Sequence, residues 1–291
     1  MAITAALVKE LRERTGAGMM ECKKILTETN GDIESAIEEL RKRGAAQADK
    51  KASRIAAEGT VVAVVDGSVG VVVEVNCETD FVAKDENFVA FANNVAATIV
   101  AGNPADVEAL NSLALAGGTA SVEETRSALV QKIGEKVDVR RFERIAAADG
   151  ETVGAYQHGK NIGVLVHSTA DTEMGRDIAM HVAASKPMCV SADQVSAETI
   201  AKEKEIYLAQ AADSGKPAEI MEKMVEGKLR KFVNEVTLLG QAFVKNPDQT
   251  VEKLLKTADA QVKQFVRYEV GEGIEKKEDN FVEEVMAAVK S

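Results

Sequence analysis

Apolar residues recur along this chain with two different periods, and each period predicts a different kind of element. Within residues 1–44 they fall three and four positions apart, which is the stripe of an amphipathic helix. Turn residues at 15–18 and 30–31 divide this part into three short helices, and Gly44 is expected to end the third. A core this small is marginally stable, so we expect the three-helix module to dock onto another surface. The stripe of its third helix consists of Ile33, Ala36, Ile37 and Leu40.

The period changes to that of strands from Gly59 onward. The segment before it, 45–58, is Ala-rich and basic, has no large apolar stripe, and is expected to be a linker, partly helical at most. A pattern of hairpin, helix and closing strand then occurs twice, once in 59–149 and again in 150–273. Such units are typical of the α+β class, so the sequence predicts a duplicated α+β core. The paired segments are strands 60–65 and 152–157, turns 66–68 and 158–161, and closing strands 137–144 and 262–269.

Two further helical segments stand apart from this repeat. An insertion in the second copy, 196–234, has two charged helices with modest apolar edges around a turn at 215–217. We expect a protruding helical hairpin that mediates self-association or lateral contact, and the alternative is an ordinary pair of core helices. Residues 274–291 are expected to form a C-terminal helical module that begins at a capping pattern. The apolar edges of the hairpin are Ile200, Tyr207 and Ala211 on one helix and Ile220, Met224 and Phe232 on the other.

The joint between the second strand and the first core helix, 76–85, carries the tripeptide Thr79-Asp80-Phe81. Loops held between rigid elements are where contacts with partners tend to be made. The alternative is structural: Phe81 would pack under the helix as core, and Asp80 would interact with the helix start. In the second copy we align the segment 170–172, Ala-Asp-Thr, with this tripeptide. The repeated fold does not require the aromatic residue, and this favours a functional role for it.

Composition restricts the classes of partner. The 291-residue chain carries a formal net charge of -11 and has a pI near 5.0, which argues against direct binding of nucleic acid. Aromatic residues make up 4% of the chain and Trp is absent, so platforms for stacking bases are poorly supplied. No apolar stretch approaches the length of a membrane span, and the first residues lack the basic and apolar regions of a signal peptide. We therefore expect a cytoplasmic protein without membrane contact.

Motifs for catalysis or for metal and cofactor binding do not emerge from the sequence. The three cysteines stand far apart without a C-x-x-C pair, and we expect small buried thiols. None of the three histidines stands at zinc-ligand spacing, and no nucleophile-elbow motif is present. We therefore expect no catalytic, cofactor or metal site. The cysteines are Cys22, Cys77 and Cys189, and the histidines are His158, His167 and His181.

Several of these segments together resemble the bacterial elongation factor Ts family. The resemblance spans essentially the whole chain and is weakest over about 102–124, from which nothing is carried over. It implies a guanine-nucleotide exchange factor for elongation factor Tu, with a ubiquitin-associated-like (UBA-like) N-terminal module. The segments that carry the resemblance are 15–20 (TGAGMM), 74–84 (EVNCETDFVAK), 156–159 (YQHG), 181–187 (HVAASKP), 215–217 (GKP) and 270–276 (VGEGIEK).

The resemblance also implies which residues meet elongation factor Tu. The segment from Thr79 to Val82 would push into the GTPase domain, where Asp80 and Phe81 disturb the elements that hold magnesium and phosphates. The N-terminal module would also bind the GTPase domain, and the C-terminal helix would contact that domain as well. The second core half would contact a different domain of elongation factor Tu. Candidate contacts are Leu11, Met19 and Met20 in the module, and Phe281 and Val285 in the C-terminal helix.

Two rival functions stay open at this stage. One is an enzyme that uses Cys77 or the histidines, which would show turnover of its own. The other is a scaffold that binds peptides through its UBA-like module, which would form a stable complex without nucleotide exchange.

Overall fold

The computed structural model describes residues 3–212 and 217–275. Its first part is a module of three helices, α1 (Ala5–Thr15), α2 (Met19–Glu28) and α3 (Ile33–Lys51). The side chain of Thr4 caps α1 and that of Asp32 caps α3, each by accepting a hydrogen bond from a backbone N–H of the first turn. The small core of this module contains Val8, Leu11, Ala17, Cys22, Ile25, Leu26, Ala36 and Leu40.

Helix α3 does not end at Gly44, as the sequence pattern suggested, but continues to Lys51 through much of the predicted linker. Gly44 is buried where α3 packs against α6 (Val122–Ile133) of the core. A Cβ at this position would lie 3.1 Å from Oε1 of Gln131 and 3.4 Å from the carbonyl oxygen of Ser127. The glycine therefore allows two helices to approach closely, and the module is docked on the core by its longest helix.

The first half of the core is a three-stranded antiparallel sheet covered by helices. Its strands pair in the order β1 (Glu58–Asp66), β2 (Val69–Cys77) and β3 (Val137–Ala146). The helices between β2 and β3 are α4 (Glu86–Gly102), α5 (Val107–Asn111) and α6. Buried residues of α4, including Phe88, Phe91 and Val95, pack on β2 and complete the core of this half.

The second half repeats this arrangement. Strands β4 (Thr152–His158), β5 (Ile162–Ser168) and β8 (Val262–Glu269) pair antiparallel in that order, and α7 (Thr172–Ser185) covers them. Between α7 and β8 lie helices α8 (Ala197–Ala212) and α9 (Ala218–Val236), a small hairpin of β6 (Ala242–Phe243) and β7 (Asn246–Thr250), and α10 (Val251–Thr257). The same strand order in both halves confirms the predicted duplicated α+β core.

The two sheets pack against each other and share a separate apolar cluster made of Val61, Val72, Ile145, Val153 and Leu165. Their approach is close, because a Cβ at Gly163 would lie 2.4 Å from Cγ1 of Val61. A polar contact crosses the same boundary, where the N–H of Val61 donates to the carbonyl oxygen of Lys160 at 2.8 Å. The halves therefore form one continuous core.

Helices α8 and α9 form the predicted hairpin and, among the described elements, pack chiefly against each other. Ala211 and Val225 are buried between them. Ile220, which we expected on the inner edge of α9, is instead exposed, because it lies in the first turn of α9, at the free end of the hairpin. Residues 215 and 216 of the predicted turn, and the predicted C-terminal helix with Phe281 and Val285, lie outside the described residues.

Candidate functional site

The joint between β2 and α4 is an extended turn with an exposed aromatic residue at its tip. Strand β2 ends at Cys77, α4 begins at Glu86, and a short 3₁₀ turn, Val82–Lys84, lies between them. The side chain of Phe81 is 80% exposed, the largest exposed fraction among the large apolar residues that the structure describes. The alternative in which Phe81 packs beneath the helix as core is therefore wrong. We call residues 79–81 the tip.

The two residues that follow the tip anchor it in the core of the first half. Val82 and Ala83 are buried in the core of the first half, together with Phe88 of α4. Val82 was expected among the contact residues, but its side chain faces the core, because the 3₁₀ turn directs it inward directly after Phe81 points outward. We therefore reassign Val82 from partner contact to anchor of the tip.

Thr79 is held by a carboxylate from a distant part of the chain. Its N–H donates to Oε2 of Glu135 at 3.0 Å, and its hydroxyl donates to Oε1 at 2.8 Å. The hydroxyl oxygen also accepts from the N–H of Val82 at 3.3 Å, and the Thr79 carbonyl accepts from the N–H of Ala83 at 3.2 Å. Thr79 is therefore hydrogen-bonded both to Glu135 and to the backbone of the following 3₁₀ turn. Its side chain stabilises the tip.

Asp80 is half-exposed and paired with a lysine of the 3₁₀ turn that follows the tip. The ammonium of Lys84 donates to Oδ2 of Asp80 at 2.7 Å. That hydrogen bond holds the pKa of Asp80 below its usual value, and the positive charges of Lys84 and, more distantly, Lys160 act in the same direction. Asp80 is thus a carboxylate at neutral pH and presents a negative charge beside the exposed aromatic ring.

The two halves correspond at this joint through a different aspartate from the one predicted. Asp171 caps α7, because Oδ1 accepts from the N–H of Met174 at 2.8 Å. Its counterpart in the first half is Asp85, which caps α4 in the same way, and not Asp80, with which we aligned it. Residues 78–85 separate strand from helix in the first half, but only 169–171 do so in the second. The tip is therefore an insertion into the repeat unit.

Cys77 and His181, two of the candidate reactive groups, are buried in the fold. Cys77 is fully buried, and burial raises the pKa of its thiol to about 12, so it is a protonated, shielded group. Cys22 is also buried, as expected, but Cys189 is only half-buried. His181 is buried with both ring nitrogens engaged, Nδ1 accepting from Val244 N–H and Nε2 donating to Gln241. Within 3–212 and 217–275, no group of three or more acidic, His or Cys side chains is placed to hold a metal ion.

The predicted contacts of the N-terminal module divide into two kinds. Met19 and Met20 are 60% and 76% exposed at the start of α2 and form an apolar surface. Met19 lies in the first turn of α2, three residues before the buried Cys22, and its side chain stays uncovered. Leu11 is fully buried in the module, so its expected contact with a partner is wrong. Spacing places Leu11 on the apolar face of α1, and that face packs into the core of the module.

Sequence reasoning missed three charged residues that surround the tip. Lys84 stands four positions after Asp80, a spacing that pairs charges over one helical turn and was available as a signal. Glu135 and Lys160 come from other parts of the chain, and no local pattern marks them. The Nζ atom of Lys160 is buried without a hydrogen-bond partner, and its charge acts on both Cys77 and Asp80.

No helix among the described residues is long and apolar enough to cross a membrane. The family model for elongation factor Ts matches residues 78–272 of the chain, a range that includes the whole tip and most of its surroundings. An elongation factor Ts of Thioalkalivibrio sulfidiphilus is 63% identical over 100% of this chain and 99% of its own length. The elongation factor Ts of Methylococcus capsulatus is 58% identical over 100% of this chain and 100% of its own length. That of Legionella pneumophila (strain Paris) is 58% identical over 99% of this chain and 99% of its own length. The chain belongs to the elongation factor Ts family.

Proposed function

We propose that this chain is a guanine-nucleotide exchange factor for elongation factor Tu in translation elongation, and that its tip loosens the magnesium and phosphate site of that GTPase. The observation that carries the proposal is the tip itself. Phe81 is 80% exposed, yet Thr79, two residues before it, is hydrogen-bonded, and Val82, directly after it, is buried. An exposed aromatic residue on a well-anchored turn loses little conformational entropy on binding, which is typical of a residue that enters a partner's pocket.

The exchange activity follows from binding alone. GDP is held in a GTPase through phosphate contacts and a magnesium ion, so release is slow until these contacts weaken. A factor that binds the nucleotide-free GTPase more tightly must, by thermodynamic reciprocity, weaken nucleotide binding by the same factor. Either nucleotide can then enter the empty site, and an excess of GTP directs the exchange toward the GTP form. No chemical step on this chain is needed.

Asp80 and Phe81 have different roles in this proposal. The aromatic ring acts as a wedge that displaces elements around the phosphates, because its apolar surface gains from leaving water. The Asp80 carboxylate brings a negative charge to a region that holds a metal cation and anionic phosphates. It competes for the cation and repels the phosphates, and both effects favour the nucleotide-free state. The chain itself holds neither nucleotide nor metal in this mechanism.

The rest of the chain positions the tip on its partner. The exposed Met19 and Met20 supply an adaptable apolar surface for docking on the GTPase domain. The module that carries them is fixed to the core through α3 and α6, so this contact and the tip can act together. Direct contact with nucleic acid is not part of the proposal, because the net charge of -11 would oppose it. A role in translation places the protein in the cytoplasm.

The helical hairpin is proposed to mediate self-association or lateral contact. Ile206, Leu208 and Ile220 are 41%, 45% and 48% exposed on helices that otherwise contact mainly each other. Replacing Ile206 and Leu208 with Ser should leave the thermal transition of the core nearly unchanged and abolish any concentration-dependent dimer seen by sedimentation. A variant that loses the core transition would show that the hairpin is structural.

The direct test of the proposed function is the release of fluorescently labelled GDP from elongation factor Tu. Excess unlabelled nucleotide is added with and without this chain, and the rate is followed as the chain concentration rises. A rate that rises and saturates supports exchange. A stable complex with an unchanged release rate would instead support a peptide-binding scaffold, and consumption of nucleotide by the chain alone would support an enzyme.

A further inference from the structure

We infer that Glu135, in the connection between α6 and β3, is the residue that positions the tip for exchange and thereby sets the maximal rate of nucleotide release. This inference rests on the proposed function and assigns a role to a residue of the first half that does not belong to the tip. Glu135 would not touch the partner's nucleotide site. It would act through Thr79, which it holds from behind.

The geometry of the contact is that of a clamp. Both carboxylate oxygens of Glu135 are used, Oε2 by the N–H of Thr79 at 3.0 Å and Oε1 by its hydroxyl at 2.8 Å. Two hydrogen bonds to one residue fix its backbone direction as well as its side-chain rotamer. Bonds to a charged acceptor are also stronger than those between neutral groups. The residue after next is Phe81, so a rotation at Thr79 would redirect the aromatic ring.

The local structure places Glu135 accurately. Helix α6 is capped at its C-terminus by Gly134, which adopts the left-handed conformation with a φ of 85° that favours glycine. Its carbonyl accepts from the ammonium of Lys51 at the end of α3. The next residue, Lys136, donates its N–H to Oε1 of Glu78 at 2.6 Å. Glu135 therefore lies in a turn that is itself fixed from both sides.

The same turn also contacts the segment that follows α3. The ammonium of Lys136 donates to the carbonyl oxygens of Ala52 and Arg54 at 2.8 and 3.2 Å. The guanidinium of Arg54 contacts Glu78, the residue before Thr79, at 3.2 Å. The residues that link the N-terminal module to the core and those that carry the tip are thus bonded to one turn, 134–136. This arrangement fixes the tip relative to the module.

The clamp would affect exchange through the fraction of bound molecules in which the tip has the competent orientation. Without the clamp, Thr79 and Phe81 would sample several directions, and only a fraction of bound molecules would hold Phe81 in the competent one. The maximal release rate falls in proportion to that fraction, because an encounter with a misdirected tip does not open the nucleotide site. The concentration that gives half-maximal rate would change little, since the surfaces of the module and the second half are unaltered.

The experiment measures labelled-GDP release from elongation factor Tu over a range of concentrations of wild type, Glu135→Ala, Glu135→Gln and Thr79→Val. We expect Glu135→Ala to lower the maximal rate on the order of tenfold, as for loss of hydrogen bonds to a charged group. Its half-saturating concentration should stay within about twofold of wild type. Glu135→Gln should recover part of the rate, because the amide oxygen still accepts one bond. Thr79→Val, which keeps the backbone bond, should lie between wild type and Glu135→Ala.

Matched variants separate this role from a merely structural one. Glu108→Ala removes an exposed carboxylate of α5 and should retain the wild-type rate and half-saturating concentration. Thermal transitions are recorded for every variant, and if Glu135→Ala melts early, Thr79→Val and Glu135→Gln carry the test. In the double variant Glu135→Ala/Thr79→Val, the loss should be smaller than the product of the single losses, because both break the same contact.

Failure of the proposed function and failure of the positioning role of Glu135 would give different results. If the wild-type chain does not accelerate GDP release, the proposed function is wrong and the inference falls with it. If the wild type accelerates release, Phe81→Ala does not, and Glu135→Ala keeps the full maximal rate, then the proposed function stands and the positioning role of Glu135 is wrong. A half-saturating concentration about tenfold higher in Glu135→Ala, with an unchanged maximal rate, would also overturn the positioning role.

Discussion

Asp80 of the tip forms an ion pair with Lys84 of the following 3₁₀ turn, with Nζ of the lysine 2.7 Å from Oδ2 of the aspartate. Both side chains are substantially exposed, at 65% and 49%, so the pair contributes little to folding. It does, however, hold Asp80 in the charged form and can be exchanged for a contact with a partner at small cost. The carboxylate of the tip is therefore ready to act on a cation outside the molecule.

Replacing Asp80 with Ala should slow GDP release from elongation factor Tu by about fivefold, the scale of an exposed charge interaction. The dependence on magnesium should change as well. Excess metal stabilises the GDP complex and opposes a factor that works by displacing it, so a variant without this carboxylate should respond differently to added magnesium. Release rates at low and high magnesium test this. Identical ratios in wild type and Asp80→Ala would show that the carboxylate has no part in displacing the ion.

Glu74 is a buried carboxylate that joins the two halves of the core. Its oxygens accept from Arg141 at 2.6 Å, from Arg140 at 3.1 Å and from the N–H of Gly271 at 2.7 Å. Burial alone would raise the pKa of Glu74, but the hydrogen bonds from Gly271, Arg141 and Asn76 outweigh it and hold the pKa below its usual value.

Glu74→Ala should lower the free energy of unfolding by about 3 kcal/mol, because it leaves two guanidinium groups and a backbone N–H without their acceptor. The figure is at the low end for a buried charge, since both arginines retain some contact with water. Urea denaturation provides the measurement. Glu143→Ala, on the exposed side of β3, is the matched control and should stay within about 0.5 kcal/mol of wild type. Equal midpoints for the two variants would contradict the account of Glu74.

His181 predicts a loss of stability in mild acid. Burial lowers the pKa of its imidazole, and the hydrogen bond with Gln241 only partly opposes this. The unfolded chain therefore takes up the proton first as the pH falls. The stabilising contribution of the neutral ring is complete above about pH 6.5, the ordinary value, and is lost progressively below it.

Urea denaturation at pH 7.5 and at pH 5.5 measures this loss. In His181→Gln the loss between the two pH values should be smaller than in wild type, although the variant is less stable at pH 7.5. His158→Gln, which removes an exposed histidine, is measured alongside as the control. A pH dependence that His181→Gln leaves untouched would show that another group causes it.

Gly154 of β4 lies against Gly175 of α7, and no side chain fits between them. A Cβ at Gly154 would lie 2.3 Å from the carbonyl carbon of Gly175. Gly154→Ala should therefore push α7 away from the sheet and cost about 2 kcal/mol or more of stability. Gly227 of α9 is the control, because nothing lies within 4 Å of its Cβ position. Gly227→Ala should raise the thermal transition slightly, through better helix propensity. A Gly154→Ala variant that melts with the wild type would contradict the described packing.

Much of the architecture was predictable from periodicity. The two hairpins, their covering helices and the closing strands were recognised because alternation and helical spacing are local properties. The role of Gly44 was not predictable, since a glycine that ends a helix and one that admits a neighbouring helix look the same in sequence. Leu11 was misassigned for a related reason, because a stripe on α1 does not show whether a neighbour within the chain or outside it covers that stripe.

The tip was located from the sequence, but its support was not. Asp80 and Asp85 both precede helical turns, so the local pattern could not show which of them matches Asp171. Only the cap geometry distinguishes them. The clamp on Thr79 joins residues 56 positions apart, and such a pairing depends on how α6 and β3 pack on the hairpin.

Phe81, exposed in the tip, is expected to act on a partner and to contribute little to the fold. The most direct test is the maximal rate of labelled-GDP release from elongation factor Tu at saturating Phe81→Ala, alongside the thermal transition of the same sample. Val65→Ala, which shortens another exposed apolar side chain, is the control and should match the wild type in both. Loss of a hot-spot aromatic costs about 2 kcal/mol or more, so we predict a rate roughly thirtyfold lower with an almost unchanged transition. A variant that melts early yet releases GDP at the wild-type rate per folded molecule would contradict the claim.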